Sequence, residues 1–201
     1  NYHSLTERGI PFVLLDRYSR DCPTPYVGCT NFEGGFLATQ TLLAHGHRRI
    51  RFLGYDFYLS SEQERFDGFC SAMFHAGQPV TGEGLLLNVN EEWLVQAVKR
   101  GDITALVSVN DRRAYHIMEV LLAAGIRIPQ QVSITGFDDW QHENRTGIGL
   151  CTVKQDFEAI GRLGAMLLFD ALQGLLPDGD VKVRAGVQLL MRDSVTEPDN
   201  G

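Results

Sequence analysis

The order of apolar and polar segments predicts an α/β fold built on a parallel, doubly wound sheet. Five short apolar runs carry few polar interruptions, as strands covered on both faces do. Longer segments lie between them, and four of these read as helices that stop at a glycine. The two kinds of segment alternate, which calls for crossover connections and hence parallel strands.

The first strand is PFVLLD, residues 11–16, and EGGFLATQTLLAHG after it reads as a helix with Gly46 just past its end. IRFLG (50–54) is the second strand, followed by the helical pattern SEQERFDGFCSAMFHAG, closed by Gly77. GLLLN (84–88) is the third, and NEEWLVQAV beyond it places Trp93 on a helix as a packing residue. ALVSV (105–109) is the fourth. It runs into DRRAYHIMEVLLAAG, which opens at Asp111, a suitable N-cap, and ends at Gly125 with Pro129 beyond. VSITG (132–136) is the fifth strand, and DFEAIGRLGAMLLFDALQG gives a helix from Asp156 to Gly174. VKV and VQLLM form a weaker strand pair near the C-terminus. There is no internal repeat and no low-complexity tract.

A chain of 201 residues can bury a substantial core as one domain or two small subdomains. A net charge of −7 argues against these residues wrapping nucleic acid by themselves, because such binding draws on Lys and Arg at phosphates. No apolar run reaches the length of a membrane span, and the first residues lack the pattern of a signal peptide. Cys22, Cys29, Cys70 and Cys151 are scattered and form no CxxC pair, which predicts neither a disulfide framework nor a zinc site and favours a reduced, cytoplasmic compartment. The HGHRR cluster brings His45 and His47 together, but a metal needs more ligands, and basic groups suit a helix C-terminus. No GxGxxG follows a strand and no GxxxxGK[ST] loop is present, so an enzyme ranks last among the readings and no cofactor or metal is expected.

In open α/β sheets, ligands sit outside the carboxyl ends of the strands. There the sequence delivers Asp16 and Arg17, a polar loop leading to Arg65, Asn88, Asn110 with Asp111, and Asp138 with Asp139. A guanidinium fork donates two parallel hydrogen bonds, a carboxylate accepts two hydroxyl hydrogens, and an amide both donates and accepts. This set suits a small polar ligand. Trp140, two residues beyond Asp138, would sit at the mouth of such a site and offer an aromatic face to a sugar ring. The competing reading is that the Asp and Asn residues only cap helices, Asp111 above all.

NDRRAYHIMEVLLAAGIRIPQQVSITGFDD resembles the signature of the lactose/galactose repressor (LacI/GalR) family of bacterial regulators. GIPFVLLDR, EGG…LLAHGHRRIRFLG, RFDGF, TVKQDFEAIG and LLMRDSV agree in that family's order, so the resemblance covers essentially the whole chain. It implies two doubly wound subdomains around a ligand cleft, as in periplasmic binding proteins. Residues 1–47 with 156–180 would form the N-terminal one and 48–155 with 181–201 the C-terminal one. It further implies that the N-terminal subdomain is incomplete here, its first strands and the DNA-reading headpiece being absent from these residues. Arg65, Asp138, Asn110, Gln155, Phe157 and Glu33 are then expected at the effector, with backbone N–H groups at Gly34 facing a ligand oxygen. KQDF favours a sugar over a purine. The expected partners are a small-molecule effector, a second copy in a homodimer through Tyr115, Met118 and Leu122, and operator DNA only through a headpiece. The alternative is a sugar-binding protein of a transport system; GFDD and RxxGF favour the regulator.

Overall fold

The computed structural model describes residues 2–19, 24–55, 59–140, 144–176 and 181–199, so Cys22 lies outside the described residues. The chain opens with α1 (Tyr2–Glu7), β1 (Leu14–Leu15), β2 (Tyr26–Cys29) and α2 (Asn31–Ala44). It continues through β3 (Ile50–Gly54), α3 (Ser60–His75), β4 (Leu85–Leu87), α4 (Glu91–Lys99), β5 (Ala105–Ser108) and α5 (Asp111–Ala123). The last elements are β6 (Ser133–Asp138), β7 (Cys151–Gln155), α6 (Phe157–Leu172), β8 (Lys182–Ala185) and β9 (Val187–Leu190).

These strands make two sheets, one in the order β1-β2-β8 and one in the order β4-β3-β5-β6-β7-β9. All pairs are parallel except β7 with β9. Side chains alternate across a strand, and here both faces of the larger sheet are covered. Leu53, Leu106 and Ile134 join the buried residues of α4 and α5. Phe52, Val107 and Phe137 join those of α2 and α3, in a cluster that reaches Val27, Cys29 and the α6 residues Ile160 and Leu167. Two-sided burial is why the strands read as nearly unbroken apolar runs.

The structure departs from the sequence reading in several places. The first strand is only Leu14–Leu15, not 11–16. Two strands were not expected. YVGC, now β2, is short and contains a glycine, and CTVKQ, now β7, alternates polar and apolar residues; neither has an apolar run. β8 pairs with β2, so Lys182–Ala185 belongs to the smaller sheet, and the chain changes sheets at Gly186 rather than before residue 181. α2, although it lies within residues 1–47, packs on α3 and the larger sheet. The reason is local: a Cβ on Gly35 would lie 2.1 Å from the carbonyl oxygen of Arg65, and one on Gly68 would lie 2.1 Å from that of Phe32. The two glycines let the helices cross with their backbones in contact.

The dimer stripe is also corrected. Tyr115 and Met118 are buried in the core against the sheet, and half-buried Leu122 packs on the same cluster. A helix that covers a sheet turns its apolar stripe inward. The outer face of α5 carries Arg112, His116 and Glu119 instead.

The HGHRR segment ends α2 and anchors β3. His45 Nδ1 lies 2.8 Å from the Thr41 carbonyl, and Arg48 donates to the carbonyls of Leu43 and His47. His47 is buried among Thr104 Oγ1, Ser133 Oγ and the Thr196 carbonyl, at 3.0, 3.0 and 2.9 Å. Burial lowers its pKa and holds it neutral. It is a buried polar hub that ties the C-terminal segment to the sheet.

Candidate functional site around Arg65

The carboxyl ends of both sheets converge on the first turns of α3. β1 leads to Tyr18, whose backbone N–H donates to Ser60 Oγ at 2.9 Å. β2 leads to Asn31, which is fully buried at the start of α2. Arg65, one turn into α3, is 5% exposed and joins these elements. Its Nε donates to Asn31 Oδ1 at 2.8 Å and its Nη1 to the Val109 carbonyl at the end of β5, also at 2.8 Å. Its guanidinium lies 3.7 Å from the centre of the Phe137 ring. Nη2 lies 3.6 Å from Asp138 Oδ1, beyond direct hydrogen-bond length.

β6 ends in Asp138 and Asp139 with positive φ at both, 114° and 60°. That conformation is costly for residues other than glycine and concentrates at functional sites. It sends consecutive carboxylates to different partners. Asp138 turns to Arg65 and accepts a 2.6 Å hydrogen bond from Gln155 Nε2 at the end of β7. Asp139 pairs with Arg192 at 2.5 Å. Burial raises the Asp138 pKa, against the opposing pull of Arg65 and Gln155. Gln155 is itself buried, and its Oε1 has no hydrogen-bond partner among the described residues. A buried acceptor left open beside a guanidinium edge and a carboxylate is a place for a hydroxyl to donate.

The structure therefore brings Arg65, Asp138 and Gln155 together, and adds Asn31. The other expected residues have different surroundings. Asn110 is the N-cap of α5, its Oδ1 accepting from the Arg113 backbone N–H at 2.9 Å. Asp111, expected to be the cap, is fully buried in the first turn and accepts from Thr152 Oγ1 at 2.5 Å and from the Trp140 N–H at 2.7 Å. Burial pushes its pKa up to about 7. The Trp140 indole is half exposed, on a backbone that Asp111 fixes. Phe157 begins α6 and is largely exposed, after an Asp156 cap that accepts from the Ala159 N–H. Glu33 is exposed in the first turn of α2. The Gly34 N–H, expected to face a ligand, donates to the Thr30 carbonyl, and a Cβ there would strike the Phe137 ring.

Sequence reasoning missed Asn31, Glu64 and Arg184. Arg184 on β8 donates twice to Glu64 on α3, at 2.8 and 2.6 Å, and so bridges the two sheets. Tyr18 Oη and Asn31 Nδ2 also donate to Glu64, at 3.3 and 3.4 Å. Glu64 adjoins Arg65 in sequence, which was the available signal; its partner lies 120 residues away and gave none.

Residues 39–195 match the family described as periplasmic binding protein-like domain. The chain is 30% identical to the arabinose metabolism transcriptional repressor of Geobacillus stearothermophilus, over 98% of this chain and 56% of that protein. It therefore spans little more than half the length of that relative. Among solved structures it resembles a LacI family transcriptional regulator from Enterococcus faecium with bound ribose. The TM-score is 0.80 at 26% identity, over 98% of this chain and 74% of that one. A CelR–cellobiose complex gives 0.79 at 28% identity, over 95% and 61%. The matched family, the two parallel sheets and their convergent carboxyl ends lead to one assignment: the chain belongs to the periplasmic binding protein-like domain family.

Proposed function

We propose that this chain is the effector-sensing region of a bacterial DNA-binding transcriptional regulator, a repressor, and that it binds a sugar between its two sheets. The observation that carries the proposal is the buried Arg65–Asp138–Gln155 cluster, with an open acceptor at Gln155 Oε1. Arg65 would donate to ring hydroxyls through Nη2, while Asp138 and Gln155 accept from them. Trp140 and Phe157, exposed near the strand ends, would cover the C–H faces of the ring. Relatives solved with ribose and with cellobiose support a sugar, and the repressor relative supports a regulator over a transport protein.

The role is sensing rather than catalysis. An effector that grips residues from both sheets shifts their arrangement by no more than its difference in affinity for the two arrangements. Operator half-sites call for a two-fold protein, so a homodimer in the cytoplasm is part of this reading. DNA reading would belong to chain beyond these residues. A thermal-shift screen of pentoses, hexoses, disaccharides and nucleobases tests the proposal. We expect a saturable rise in melting temperature with at least one sugar and none with the nucleobases, because a ligand bound only by the folded form stabilises it. A response to nucleobases alone would reverse the assignment of the effector.

A further inference from the structure

The turn that brings Asp138 to Arg65 is held by Asp111, which has no hydrogen bond to Arg65, Asp138 or Gln155 among the described residues. Asp111 is fully buried in the first turn of α5, and its carboxylate ties two other segments together. Oδ1 accepts from Thr152 Oγ1 on β7 at 2.5 Å, and Oδ2 accepts from the Trp140 backbone N–H, two residues past Asp138, at 2.7 Å. Strand β6 leaves room for this carboxylate. Gly136, the register partner of Thr152, is not in the left-handed region, so its φ does not require glycine. A Cβ there, however, would lie 2.1 Å from Asp111 Oδ1. Asp138 and Asp139, between Gly136 and Trp140, both have positive φ. Residues other than glycine persist there only where their surroundings over-determine them. Arg192 supplies part of that restraint, through Asp139 and the Leu150 carbonyl, and Asp111 supplies another.

We propose that Asp111 is a positioning residue for effector binding: it fixes the turn after β6 and so aims the Asp138 carboxylate at the point where Arg65 and Gln155 meet it. The inference rests on the sugar reading of that cluster. Each oxygen of Asp111 takes one donor, so the side chain clamps β7 and the turn to α5 at once. Neither can shift without leaving a buried hydrogen-bonding group open. Hydroxyl recognition needs its acceptor held to within about 0.5 Å. Asp138 accepts from Gln155 at 2.6 Å, but Arg65 Nη2 stands off at 3.6 Å, so the aim of the carboxylate depends on its backbone. The adjacent pair Asn110 and Asp111 thus divides its work. Asn110 starts the helix, and Asp111 sets the turn that carries the acceptor.

The test is calorimetry of wild type, Asp111→Ala and Asp111→Asn with the pentoses, hexoses and disaccharides of the thermal-shift screen. Emission without sugar is recorded in a Trp93→Phe background, where Trp140 is the only tryptophan. Asp111→Ala should weaken sugar binding about tenfold or more and shift the Trp140 emission, because the turn loses its buried acceptor. Asp111→Asn should restore both. Its oxygen accepts from the Trp140 N–H, and its amide donates to the Thr152 hydroxyl. Thr152→Val removes one anchor and leaves the other, so it gives a milder form of the same effect and keeps the test open if Asp111→Ala does not fold. Thr104→Ala removes a partner of buried His47 just before β5, at the opposite end of the sheet, and should lower stability while affinity stays at the wild-type value. Wild-type affinity in folded Asp111→Ala, or in Thr152→Val where the alanine variant does not fold, overturns the proposal. So does a failure of Asp111→Asn to restore binding. An affinity loss in Thr104→Ala as large as that in Asp111→Ala also overturns it, since the effect would then be one of general stability. These results strike the proposal alone. If the wild type binds none of the sugars, the sugar reading falls and this proposal falls with it.

Discussion

Arg65 is a charge kept almost dry. Removing a guanidinium from water costs several kcal/mol unless hydrogen bonds and an opposite charge replace its hydration. Here Asn31, the Val109 carbonyl, the Phe137 ring and Asp138 do so, and the Nη2 edge beside Asp138 is left for a ligand. Asp111 is the opposite case, a buried carboxylate with two donors but, among the described residues, no cation at hydrogen-bond distance. Its folded pKa, about 7, lies above the unfolded value near 3.9, so between those pH values the folded state binds the extra proton. Stability from this group is therefore full below about pH 4 and is lost as pH rises to about 7. Asp111→Asn should flatten that part of a stability–pH curve measured by urea denaturation; Asp138, shifted the same way, leaves a residual slope. Asn110 and Asp111 also mark where the sequence misleads. Either residue type can cap a helix, and only the register of α5 against β7 decides that Asn110 caps while Asp111 meets Thr152.

At the scale of elements, the crossing of α2 and α3 positions Arg65. Gly35 sits against the backbone of Arg65 itself, so any side chain there must push the two helices apart. Gly35→Ala should cost about 1–3 kcal/mol of stability, as overpacking does, and weaken sugar binding as well. Gly161→Ala, in α6 with open space around it, should be neutral or stabilising by up to about 1 kcal/mol. Urea unfolding of both variants checks the contrast. Equal effects would remove the helix crossing from the explanation. The alternation of strands and helices was legible because each buried strand is an apolar run. β2 and β7 were not, because Gly28 and the polar residues of CTVKQ break that pattern, and their identity comes from neighbours in the sheet. The stripe Tyr115–Met118–Leu122 was legible as a stripe, but its direction was not. Period 3.6 shows that a helix has an apolar face, not which surface covers it.

For the whole molecule, the two sheets are joined through Gly186 and by the Glu64–Arg184 pair beside the proposed cleft. The family motifs in the sequence pointed to Arg65, Asp138 and Gln155, which the fold does bring together. The inter-sheet pair was invisible, since it depends on β8 joining β2. Arg184→Met should cost about 1–2 kcal/mol, a modest figure because the arginine is a third exposed, and should change sugar affinity severalfold, since both sheets must hold one ligand. A stability loss with unaltered affinity would make the pair purely structural. The central claim, that effector recognition is built on Arg65, has a more direct test. It is calorimetric titration of wild type and Arg65→Ala with the sugar that gives the largest thermal shift, with circular dichroism confirming that the variant is folded. The account predicts a one-to-one isotherm for the wild type and no measurable heat of binding for the variant. Wild-type affinity in folded Arg65→Ala would contradict it.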